Sequence, residues 1–89
     1  MNDELDRATI LMMLKIDFLF NKTKYIDKKR FTVYEINMIN NIINSFEKGV
    51  KSISLYNEKI AEYFMNFGCV VTKQYFNANL QCHLLKVEM

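Results

Sequence analysis

The chain is 89 residues long, 51% apolar and 13% aromatic, without proline or tryptophan, and carries a net charge of +2. That length supports one small core and no second domain, and the apolar content excludes a disordered chain. Two cysteines, Cys69 and Cys82, are too few for a secreted disulfide framework, so reduced thiols in a cytoplasmic protein are expected.

The apolar run Ile10 to Leu14 follows an acidic start and is broken by Lys15 and Asp17. Neither a signal peptide nor a membrane span of about 20 apolar residues is expected from it, and no membrane partner. Charge is uneven along the chain. Residues 1–20 carry four acids against two bases, residues 21–31 carry five bases against one acid, and the remainder balances.

Asn2 or Asp3 is placed to cap a first helix, with Asp3, Glu4 and Asp6 where the helix dipole favours negative charge. Leu5, Ala8, Met12, Ile16 and Leu19 make one face of that helix. Leu11, Met13, Leu14, Phe18 and Phe20 spread apolar surface round most of the rest, as on a central helix or one at a homodimer interface. Asn21 to Arg30 then reads as a basic connector in which Tyr25-Ile26 is a short extended piece.

The best-specified element runs from Phe31 to Gly49. Thr32 and Glu35 form a T-x-x-E capping box, and Phe31 and Ile36 flank it as a hydrophobic staple. Ile36, Ile39, Ile43 and Phe46 recur at helical spacing, widened by Ile42, and Gly49 supplies the left-handed residue that ends the helix. After a short turn, Ser54 is placed to cap a third helix with Tyr56, Ile60, Tyr63, Phe64 and Phe67 on one side, closed by Gly68.

Cys69 to Tyr75 and Leu80 to Val87 read as the strands of a hairpin turning at Phe76 to Asn79. A turn centred on Asn77-Ala78 sets Tyr75 against Leu80, Lys73 against Cys82 and Val71 against Leu84. The predicted core face is then Cys69, Val71, Tyr75, Leu80, Cys82 and Leu84. Val70, Leu85 and Val87 fall on the opposite face, as a candidate partner strip or a packing surface for the first helix. The expected fold class is α+β, three helices followed by a C-terminal antiparallel β-hairpin, in one domain over residues 1–89.

Chemistry-bearing constellations are sparse. His83 is the one histidine, and its neighbour Cys82 points to the opposite strand face, which separates them as a nucleophile and base. Cys69, Cys82 and His83 lack the C-x-x-C pairing of a structural zinc site, and both glycines are spent on helix ends rather than on a phosphate loop. Glu58 and Glu62, one turn apart with Lys59 between them in sequence, mark a wet helix face. No enzyme activity, cofactor or metal is expected.

The leading binding candidates are Lys22, Lys24, Tyr25, Lys28, Lys29 and Arg30. They suit contact with phosphates and a stacked base, or with an acidic protein patch. The order helix, helix, helix, hairpin over roughly the last 55 residues resembles the layout of a winged helix-turn-helix domain. In that layout Ser54 to Phe67 is the recognition helix and Phe76 to Asn79 the wing tip, which implies a DNA-binding regulator. Against it, Glu58 and Glu62 repel phosphates and the wing tip has no base. The preferred expectation is a small interaction protein, an inhibitor or accessory factor in the style of those made by phages and other mobile elements. Its expected partner is a protein or nucleoprotein complex, such as a bacterial defence or transcription complex.

Overall fold

A computed structural model describes residues 6–89; the cap predicted at Asn2 or Asp3, and Leu5, lie outside the described residues. The element order is α1 (Arg7–Asp27), α2 (Val33–Glu47), β1 (Ser52–Leu55), α3 (Glu58–Asn66), β2 (Val70–Asn77) and β3 (Cys82–Glu88). Three helices pack with one antiparallel sheet in which β3 lies between β1 and β2. The fold is α+β, but a strand separates the second and third helices, and the order is ααβαββ.

Helix α2 follows its sequence signals at both ends, and α3 does so at its C-terminal end. At α2 the capping box is complete: the Thr32 hydroxyl accepts from the Glu35 N–H at 3.1 Å, and the Glu35 carboxylate accepts from the Thr32 N–H at 2.9 Å. Its staple residues Phe31 and Ile36 are both buried. Gly49, at φ +104°, donates to the Phe46 carbonyl while Val50 donates to that of Ser45, the paired bonds of a Schellman end. Gly68 and Cys69 repeat that pattern on the Met65 and Phe64 carbonyls at the end of α3.

The start of α3 differs from expectation. Ser54 is not its cap; Asn57 is, accepting from the Ile60 N–H at 3.0 Å. Ser52-Ile53-Ser54-Leu55 instead alternates polar and apolar residues, the period of a half-buried strand, and pairs with β3 from Ser52 opposite Glu88 to Leu55 opposite Leu85.

The hairpin also has a different register. Asn77 pairs with Cys82 and Phe76 with His83, because the Asn77 side-chain oxygen accepts from the N–H groups of both Asn79 and Leu80 and so sets the turn at Ala78 to Gln81. An irregularity between Lys73 and Phe76 then brings Lys73 opposite Leu85 and Val71 opposite Val87. Residues directly opposite share a face. The inner face is therefore Ile53, Leu55, Val71, Leu85 and Val87, with α3 packed over it. Tyr75 and Leu80, expected in the core, are exposed.

Helix α1 begins with Asp6 as its cap, accepting from the Thr9 N–H at 2.8 Å, and runs through most of the predicted connector. Tyr25-Ile26 is helical rather than extended. The face turned inward carries Ile10 and Leu14, followed by Asp17, Asn21 and Tyr25. Of the face that the sequence groups together, Ala8, Met12, Ile16 and Leu19 lie on the outer side and are exposed. Arg7 fastens the start of α1 to the end of α2 by donating to the Phe46 and Val50 carbonyls, both at 2.7 Å. No helix among the described residues is long and apolar enough to cross a membrane.

Candidate partner-binding surface

The basic segment is built by the last two turns of α1 and the tight corner into α2. Lys22, Lys24 and Tyr25 lie on the helix; Lys28, Lys29 and Arg30 form the corner. The corner is a third Schellman end, in which Lys29 donates to the Ile26 carbonyl and Arg30 to that of Tyr25, both at 2.9 Å. Lys29 occupies the left-handed position, φ +58°, where glycine is usual. The backbone carbonyls at this end attract cations, which suits Lys24 in the last turn.

Tyr25 is the keystone of this end rather than a free platform. Its hydroxyl donates to Asp17 Oδ2 at 2.8 Å, and the same oxygen accepts from Tyr63 at 2.6 Å while Oδ1 accepts from Asn21 at 2.8 Å. Burial, reinforced by the Asp17 carboxylate beside it, pushes the Tyr25 hydroxyl up to about 12. Burial and the same carboxylate push Tyr63 up as well. The Tyr25 ring meets those of Phe31 and Tyr63 edge to face, with centroids 5.7 and 6.0 Å away. The Arg30 guanidinium sits 5.1 Å from the Tyr25 ring centre and 5.9 Å from that of Phe31. Base stacking on Tyr25 would therefore require Arg30 to leave its place.

These packing contacts hold Arg30, and Lys22 sits similarly over the Phe18 ring at 5.7 Å. Lys24, Lys28 and Lys29 extend into solvent. Asn21, Lys24, Tyr25, Lys28 and Arg30 line a shallow depression that joins the helix to the corner. Three of the other cations pair within the chain: Lys15 with Glu47, Lys59 with Glu35 at 3.0 Å and Lys86 with Glu88 at 3.6 Å. Among the described residues, no carboxylate lies within ion-pair distance of Lys22, Lys24, Lys28, Lys29 or Arg30. Such a surface offers several donors and positive charges to an anionic group, and its rigid frame keeps their spacing constant.

The second predicted contact, the Val70, Leu85, Val87 strip, does not exist as a surface. Leu85 is 3% exposed and Val87 0%, both in the core, whereas Val70 lies on the outer face of the sheet at 59%. The bulged register separates Val70 from the other two. Asn21, which sequence reading did not single out, belongs to the basic depression. Its signal was the four-residue spacing of Asp17, Asn21 and Tyr25, a polar stripe along an otherwise apolar helix.

Glu35 joins two helix starts. Besides closing its own capping box, its carboxylate accepts from Asn57, the cap of α3, at 2.8 Å and pairs with Lys59. Burial raises its pKa, but the hydrogen bonds from Asn57, the Thr32 N–H and Lys59, with the Lys59 charge, outweigh burial and hold it at about 2. His83 packs edge-on against Phe76, with centroids 5.2 Å apart, and the Cys82 thiol approaches the Tyr56 carbonyl at 3.7 Å. Cys69 and Cys82 are both free thiols, and burial pushes the Cys69 thiol up to about 11. Among the described residues, no three His, Cys, Asp or Glu side chains gather as a metal-ligand set.

No protein-family model, curated protein or solved structure matches this chain.

Proposed function

We propose that this protein is a small non-enzymatic interaction module, a stoichiometric inhibitor or accessory factor that docks its basic end onto an acidic surface of a protein or nucleoprotein complex. One observation carries the reading. Lys22, Lys24, Lys28, Lys29 and Arg30 gather within one short stretch at one end, and none of them has a carboxylate partner among the described residues. Leaving charges of one sign together costs folding energy through repulsion, and a complementary partner relieves it.

The alternative of a winged helix-turn-helix regulator has less support. A helix-turn-helix joins its helices by a turn of about 3–4 residues, whereas β1 lies between α2 and α3. The exposed residues of α3 include Glu58 and Glu62, and the hairpin tip, Ala78 to Gln81, has neither lysine nor arginine. These features disfavour approach to phosphates.

The test is charge reversal at Lys28, Lys29 and Arg30. Capture from a source-cell lysate should return a defined partner whose affinity falls about tenfold or more in the triple variant, with the far-ultraviolet circular dichroism unchanged. Equal recovery by the folded variant would remove the basic end from the contact. Duplex DNA titrated in a salt series tests the alternative: a regulator binds at low salt and loses affinity steeply as salt rises, and absence of duplex binding even at low salt removes it.

A further inference from the structure

Helix α1 packs chiefly on α2, and its opposite face is unpartnered. Met12, Ile16, Leu19 and Phe20 on that face are 59%, 51%, 66% and 76% exposed, one continuous apolar stripe. Isolated exposed apolar residues are ordinary, whereas a contiguous run of them on an unpartnered helix face is where an interaction site is sought.

We infer that this stripe is the interface of an antiparallel homodimer, in which two α1 helices cross at a two-fold axis beside Ile16. Two features of the helix select a second copy as the occupant. First, Met12 and Phe20 lie one turn to either side of Ile16. Antiparallel pairing sets Ile16 against the partner's Ile16 and Met12 against the partner's Phe20, so the stripe is complementary to itself, as a two-fold interface requires.

Second, the charges bordering the stripe match in the same sense. Asp6 and Lys24 are five turns apart and so share one flank of the helix. Asp6 lies about 15 Å on one side of Ile16 and Lys24 about 12 Å on the other, at 1.5 Å per residue. Antiparallel pairing therefore places each Asp6 beside the partner's Lys24, twice. Parallel two-fold pairing would carry the partner's Lys24 to the opposite flank and the far end, so no Asp6–Lys24 pair would form. On the other flank Lys15 is already neutralised by Glu47 and Lys22 rests over Phe18. Exposed ion pairs contribute little affinity, so Asp6 and Lys24 choose the orientation while the apolar stripe supplies the association.

Four apolar side chains from each copy make a weak interface, and the dimer dissociates on dilution. This inference does not depend on the basic end binding anything, and its test reads mass and cross-linking rather than partner capture. Sedimentation equilibrium should show a mass rising from one chain to two with concentration. Ile16→Lys, at a half-exposed position, should give a single-chain mass throughout, and Lys24→Glu should weaken dimerisation severalfold.

Orientation is read by cysteine placement in a Cys82→Ser background under mild oxidation with diamide. Ile16→Cys should cross-link to itself. Met12→Cys should not, because antiparallel pairing holds the two Cα atoms about 12 Å apart along the axis, beyond the roughly 7 Å limit for a disulfide. Mixed with Phe20→Cys it should yield the heterodimer. A single-chain mass at every concentration, or a dimer indifferent to Ile16→Lys, overturns the proposal. Cross-linking of Met12→Cys as efficient as that of Ile16→Cys overturns the antiparallel arrangement. Should Ile16→Lys fail to fold, the cysteine series still decides.

Discussion

Single residues hold the corners of this molecule. Lys29 occupies a left-handed position that costs an L side chain about 1–2 kcal/mol, where α2 and α3 use glycine for the same end motif. Lys29→Gly is expected to raise stability by about 0.5–1 kcal/mol after the extra backbone entropy of glycine is subtracted, measured by urea denaturation; a loss of stability would mean that the Lys29 side chain makes a contact worth more than the strain. At this scale the capping box of Thr32 and Glu35 was legible in the sequence, since it lies within one turn. The bonds that Glu35 makes to Asn57 and Lys59, and that Asp17 makes to Tyr63, join residues far apart in the chain, and no local pattern announces them.

Glu35 carries a prediction at the scale of elements, because it ties the starts of α2 and α3 together. Its carboxyl is depressed from 4.5 to about 2, so the stability it contributes is complete above about pH 4.5 and is lost as pH falls through about 2. Glu35→Gln should remove that component, leaving a shallower decline of melting temperature between those pH values. An unchanged slope would locate the acid sensitivity in another carboxylate. Helix α1 shows why an element is easier to find than to orient. Its apolar residues go nearly all the way round, so periodicity supported a face that the fold turned outward. The inner face contains Asp17 and Asn21, which look unfit for burial until Tyr25 and Tyr63 satisfy them. The hairpin is similar: both strands were evident, but Asn77 and the irregularity after Lys73 set the register.

For the molecule as a whole, the location of the core is tested by two residues once grouped as one strip. Leu85→Ala should cost about 2–5 kcal/mol, whereas Val70→Ala should change stability by less than about 0.5 kcal/mol, both read by thermal or urea unfolding. Comparable costs would contradict the observed register. An antiparallel α1 pair also carries a consequence at this scale: it sends the two basic ends in opposite directions, so a dimer presents two docking surfaces to separate sites of an extended or repeated partner.

By itself the sequence determined one small α+β domain, the start and stop of α2, the glycine ends of α2 and α3, and the concentration of positive charge between residues 21 and 31. Each of these is written in neighbouring residues through capping, helical period or charge. Only the tertiary structure decided that Ser52–Leu55 joins the sheet, that α1 continues to Asp27, which face of α1 is buried, and that Leu85 and Val87 are core while Val70 is not. Strand partners, helix rotation and the satisfaction of buried polar groups depend on residues distant in sequence, where local patterns are silent.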